Sequence, residues 1–178
     1  MENKLTYRIG PATPADVPTL ADVINRAYRS EAAHAGWTTE GHLLEGPRID
    51  EATLHELLTA PHATLLKAET AAGYLAGCVY VEQQNKSLYF SMLAVAPQAQ
   101  AHGLGRQLLG AVEAYAQRER CNHIKMSVLA GRAELLAWYE RRGYQRTGVS
   151  EPFPDTTRFG RPRQLLTLLT LEKALSSK

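Results

Sequence analysis

An apolar stretch at residues 88–95 runs into Pro97 and then into the hexapeptide Gln100-Ala101-His102-Gly103-Leu104-Gly105. Beyond it Leu104, Leu108, Leu109, Val112 and Tyr115 recur at helical spacing. This junction constrains the chain more than any other feature, because a strand must end, turn through glycines and open an amphipathic helix within about ten residues. Gly103 and Gly105 permit the turn and remove side chains that would block a ligand's approach to the backbone. The first amides of a helix have no partner inside it, and the positive end of the helix dipole faces the same point. A pyrophosphate is the group that such a junction accepts. A dinucleotide-binding fingerprint would need a third glycine where Leu108 stands, and a nucleotide-triphosphate loop would need Gly-Lys-Ser/Thr, which is absent. On this segment alone, a glycine turn without a ligand stays open.

The flanking chain reads as alternating elements. Residues 5–9 suggest a strand. Thr13-Pro14-Ala15-Asp16 starts a helix, with Thr13 as the cap and Val17, Leu20, Ala21, Ile24, Ala27 and Tyr28 on its apolar face. Residues 31–49 are polar and irregular. A second helix begins near Asp50, stapled by Ile49 and Leu54 and ended by Pro61. Strands follow at 63–68, 74–81 and 88–95, then the junction helix and a strand at 123–129. A short helix over 132–142, closed by Gly143, precedes final strands at 144–147 and 165–171. The central meander makes the sheet partly antiparallel, so the array is mixed α/β and not doubly wound.

The 178 residues suit one domain spanning 1–178. A net charge of +2 is too small to argue for nucleic acid. Cys78 and Cys121 show no CxxC spacing, and the histidines no metal-binding cluster, so no metal is expected. The N-terminal residues lack an apolar signal core and no apolar run reaches about 18 residues, so a cytoplasmic protein without a membrane span is expected.

Three segments together resemble the GNAT superfamily of acyl-CoA N-acyltransferases: Gln100-x-x-Gly103-x-Gly105, Leu93-Ala94-Val95 upstream of it, and Trp138-Tyr139-Glu140-Arg141-Arg142-Gly143-Tyr144. The order of elements agrees along nearly the whole chain. The resemblance implies a mixed, mostly antiparallel sheet of about six to seven strands flanked by about four helices. It implies that the amides of Gln100, Ala101, His102, Gly103, Leu104, Gly105 and Arg106 hold the pyrophosphate of acetyl-CoA. A bulge would splay the strand carrying Leu93, Ala94 and Val95, so that its backbone pairs with the pantetheine arm and one N–H polarises the thioester carbonyl. Tyr139 falls where relatives place a hydroxyl near the thioester sulfur, as general acid. Two positions depart from the pattern. Ser91 stands where many relatives carry a glutamate, leaving Glu82 as the candidate base acting through water. Arg132 stands where many carry an asparagine against the cofactor arm, and is assigned to the cofactor here.

The implied activity is transfer of an acetyl group from acetyl-CoA directly to a primary amine of a small molecule or peptide in a ternary complex. A larger acyl donor, an oxygen acceptor, or a CoA-binding regulatory module without turnover are the alternatives. Two irregular segments, 31–48 and 151–161, flank the acceptor side in the resembling fold. They assign Trp37 and Phe159 as apolar walls, Arg48 or Arg158 to an acceptor carboxylate, and Glu31 or Glu40 to the incoming ammonium. A homodimer paired along a sheet edge is the assembly such a small sheet allows.

Overall fold

The computed structural model describes residues 6–29 and 40–176. Strand β1 (Tyr7–Pro11) leads to a single 3-10 turn, Pro14–Asp16, and then to helix α1 (Val17–Arg29). The expected helix start is thus a tighter turn. Asp16 Oδ2 accepts from the Thr13 amide at 2.7 Å and from its hydroxyl at 2.9 Å. After the two-residue strand β2 (Leu44–Glu45), α2 (Glu51–Thr59) opens at Asp50, whose Oδ1 accepts from the Thr53 amide at 2.7 Å. Strands β3 (Ala63–Thr70), β4 (Leu75–Gln84) and β5 (Ser87–Val95) form the meander. Next come α3 (Leu104–Arg118), β6 (His123–Leu129) and α4 (Ala133–Glu140), and the chain ends with β7 (Gln145–Pro152), β8 (Arg161–Pro162) and β9 (Thr167–Ala174).

Seven strands form one sheet in the order β1-β3-β4-β5-β6-β9-β7, in which only β5 and β6 run parallel. Alternation along the strands sends side chains to two separate cores. Leu93 and Val95 of β5 pack with Leu104, Leu108 and Val112 of α3 and Leu136 of α4. Met92 and Ala94 point the other way, to Leu20, Ile24 and Ala27 of α1 and Leu54 of α2. Burying each of these leucine, isoleucine, valine and methionine side chains contributes roughly 1.5–3 kcal/mol, so the two layers clamp the sheet from both faces. Gly77 lets β4 and β5 approach under α3, since a Cβ there would lie 2.6 Å from the Ala94 carbonyl oxygen and 3.2 Å from Leu108 Cδ1.

Strands β2 and β8 pair as a separate two-stranded sheet, Leu44 with Pro162 and Glu45 with Arg161. Both lie in segments that read as irregular, because two residues carry no periodicity. The last two long strands also extend past the expected 144–147 and 165–171, and are shifted toward the C-terminus. Among the described residues, no helix is long and apolar enough to cross a membrane.

Candidate functional site

The central feature is a fault in the meander. Cys78 of β4 pairs with Ala94 and Tyr80 with Ser91, which leaves Met92 and Leu93 of β5 opposite Val79 alone. This is a β-bulge, and Met92 takes φ +50° to accommodate it. The parallel pairing of β5 with β6 stops at Tyr89 and Lys125, although β5 runs on to Val95 and β6 to Leu129. The two strands therefore splay, and a cavity opens on each side of the gap.

The first cavity, about 370 Å³, lies between the glycine loop, β5 and α4. Ala101 and Gly103 both adopt left-handed φ, +66° and +74°, and Gly103 caps α3. The Gln107 amide bonds to the Gly103 carbonyl at 3.1 Å, so the amides of Leu104, Gly105 and Arg106 precede the first intrahelical bond and face outward. Gln100 Nε2 donates to the Val95 carbonyl at 3.2 Å and ties the loop to the end of β5. A Cβ on Gly105 would reach Val95, Leu93 and Trp138 at 3.8–3.9 Å, filling the groove without a clash. His102 is exposed, with Nδ1 2.8 Å from the Gln100 carbonyl oxygen. Leu93 and Val95 form a wall of this cavity, whereas Ala94 faces the α1 core. Arg106 is exposed at the mouth, close to Arg142, whose guanidinium stacks 3.7 Å from the Trp138 ring centroid.

The second cavity, about 310 Å³, opens between β5 and β6 toward the β2 and β8 segments. Tyr28, Leu93, Leu135 and Tyr139 line both cavities, so the two meet at that point. Tyr139 is buried, its ring edge-on to Trp138 at 4.8 Å and to Tyr144 at 5.7 Å. Burial raises its hydroxyl well above the ordinary tyrosine range, as it does for Tyr28. Each hydroxyl is therefore a proton donor at any working pH. Glu82 lines the second cavity and accepts from the Tyr80 hydroxyl at 3.2 Å. Ser91 lies beside it in the same wall. Cys78 is fully buried and its thiol is pushed up to about 12 by burial, so it is no nucleophile.

Among the residues assigned to the acceptor, Glu40, Arg48 and Phe159 line this second cavity. Glu31 and Trp37 lie outside the described residues. Two arginines sit otherwise than expected. Arg158 is exposed, 2.5 Å from Glu56 and away from the cavity wall. Arg132, at the N-cap of α4, is only 10% exposed and lies 3.5 Å from Glu40, which Arg29 also holds at 3.1 Å. A part-buried carboxylate requires such counter-ions, and Arg132 serves as one; it is not among the residues that line the first cavity. Arg29 also donates to the carbonyls of Gly46 and Phe159, binding α1 to the small sheet. Tyr28, Leu135 and Trp138 are not among the site residues that the sequence assigns: Tyr28 reads there as part of an apolar helix face, and Trp138 only as part of the segment that carries the family resemblance.

A helix N-terminus with outward-facing amides, a splayed strand pair, and two cavities meeting beside a buried tyrosine fit an acyl-CoA acyltransferase. Residues 33–156 match the acetyltransferase (GNAT) domain, and the chain belongs to that family. No curated protein sequence matches the chain. Solved structures share the fold at low identity. The ribosomal-protein-S18-alanine N-acetyltransferase of Escherichia coli is 17% identical over 97% of this chain and 96% of its own, with a TM-score of 0.73. A spermidine N-acetyltransferase chimera with Vibrio cholerae sequence is 16% identical over 94% and 95%, with a TM-score of 0.67. A Salmonella typhimurium protein described as an acetyltransferase, solved with its cofactor acetyl-CoA, is 20% identical over 97% and 96%, with a TM-score of 0.67.

Proposed function

We propose that the protein transfers the acetyl group of acetyl-CoA to a primary amine in a ternary complex. The observation that carries this reading is the meeting of the two cavities at Tyr28, Leu93, Leu135 and Tyr139. A thioester threaded along β5 from the glycine loop would end where an amine entering from the other side arrives. Direct attack then needs no acyl-enzyme, only alignment of the two reactants.

In this reading the amides of residues 100–106 hold the pyrophosphate, and Leu93 and Val95 flank the pantetheine arm. Arg106 and Arg142 supply positive charge at the mouth. The amine nitrogen forms a bond to the thioester carbon while the carbon–sulfur bond breaks. The proton leaving nitrogen passes toward Glu82 through water, and the departing sulfur takes one from Tyr139, which recovers it from solvent. An amide and free CoA result. A larger acyl group or an oxygen nucleophile would use the same junction. The different acceptors named for the structural neighbours, a protein alanine and spermidine, mean that the fold alone does not select among amines.

The experiment is calorimetric titration with acetyl-CoA beside thiol release over an amine panel. Gly103→Glu should weaken acetyl-CoA by at least about a hundredfold through charge repulsion and loss of the left-handed turn. Unaltered affinity in that variant would overturn the assignment of the loop. Tight binding with no thiol release beyond hydrolysis would favour a CoA-binding regulatory module.

A further inference from the structure

Among the described residues, the second cavity holds a guanidinium that no carboxylate pairs with. Arg48 is fixed at its backbone, because Asn25 Oδ1 accepts from the Arg48 amide at 2.7 Å and from the Ile49 amide at 3.2 Å. Its guanidinium lies between two rings, 5.4 Å from the Tyr28 centroid and 5.2 Å from the Phe159 centroid. Nη1 is buried and has no hydrogen-bond partner, and among the described residues no carboxylate pairs with Arg48. A buried N–H left unsatisfied is costly in a folded protein, and an arginine held on a fixed stem in a cavity is suited to a planar anion.

The acidic groups of the same cavity do not serve it. Glu40 is held by Arg29 and Arg132. Glu82, the remaining carboxylate in the wall, accepts from Tyr80. Among the described residues, the wall thus presents one guanidinium without an anion and one carboxylate without a cation, with Phe153 and Phe159 as apolar surface between the loops. Arg158, the other arginine of these loops, already has Glu56.

Building on the proposed transferase activity, we infer that the acceptor is a zwitterion of amino-acid type with an apolar side chain. Its carboxylate pairs with the Arg48 fork, and its amine is directed to Glu82 and the junction at Tyr139. The charge inventory disfavours polyamines, since a second cation would face Arg48. It also disfavours amines whose carboxyl is blocked, since the guanidinium would stay unpaired.

The test uses four probes: L-phenylalanine, L-phenylalaninamide, phenethylamine and 3-phenylpropionate. Calorimetry should detect 3-phenylpropionate binding to the unaltered protein, weakened about tenfold or more in Arg48→Met and partly recovered in Arg48→Lys. Thiol release should favour L-phenylalanine over its amide and over phenethylamine by about a hundredfold in kcat/KM, and Arg48→Met should erase that preference. Acetyl-CoA affinity and Tm should match the unaltered protein in both variants, separating loss of recognition from unfolding. The inference is overturned by absence of 3-phenylpropionate binding, by equal rates on acid and amide, or by a preference that survives Arg48→Met. Any of these leaves the transferase reading intact. Failure of acetyl-CoA itself to bind would instead overturn that reading.

Discussion

The hydroxyl of Tyr28 donates a 3.1 Å hydrogen bond to the carbonyl of Leu93, joining the end of α1 to the bulge of β5 across 65 residues of sequence. Both residues line both cavities, so the bond stands where donor and acceptor would meet. Removing it frees a part-buried carbonyl and the bulged segment with it. Tyr28→Phe should cost about 0.5–1.5 kcal/mol of stability and lower kcat/KM about tenfold, read by thermal unfolding and thiol release. Unchanged kinetics would make Tyr28 a packing residue only.

Tyr139→Phe keeps the ring contacts with Trp138 and Tyr144 and removes the proton donor. We expect kcat to fall about ten- to a thousandfold, with acetyl-CoA affinity within about twofold. Burial raises the Tyr139 hydroxyl, so the unaltered enzyme should show no loss of activity from its ionisation up to at least about pH 10. Full activity in the phenylalanine variant would remove Tyr139 from the mechanism.

Glu82→Gln should lower kcat/KM about a hundredfold near neutral pH if the carboxylate receives the amine proton. The deficit should shrink as pH approaches the acceptor's own pKa, where the amine deprotonates unaided. A deficit constant across the pH range would show that Glu82 acts only through its bond with Tyr80.

Gly77→Ala tests the close approach beneath α3. The added Cβ would meet a backbone oxygen, Ala94 O at 2.6 Å, which moves only if β5 moves. Destabilisation of about 1–3 kcal/mol is expected, with a measurable fall in Tm. A Tm equal to that of the unaltered protein would show that the strands separate freely there.

Alkaline pH should unfold the protein. Burial raises the hydroxyls of Tyr28, Tyr80, Tyr139 and Tyr144 above the ordinary value, at Tyr80 with help from the charge of Glu82. In the unfolded chain they ionise near pH 10, so above that pH the native state binds more protons than the unfolded one. Their contribution is fully present below about pH 9 and is lost as pH rises through and beyond about 10. Tm measured from pH 7 to 11 should stay level and then fall steeply. A Tm still level at about pH 11 would contradict this.

By itself the sequence determined what is encoded by near neighbours. The glycine loop was legible because left-handed φ at Gly103, a helix start and the apolar stripe of Leu104, Leu108 and Val112 all lie within a few turns of chain. The meander, the strand at 123–129 and the helix start near Asp50 were readable for the same reason. The bulge followed from the family resemblance alone, since a methionine at φ +50° gives no composition signal. Tertiary structure decided the rest. The β2–β8 pair is two residues long on each side and exists only because Arg29 and the Leu44–Leu129 cluster bring distant loops together. The same long-range packing left Arg48 without a carboxylate partner among the described residues while it gave Arg158 and Arg132 to Glu56 and Glu40. Which of several arginines faces a ligand depends on which carboxylates the fold has already brought to the others, and no local pattern encodes that.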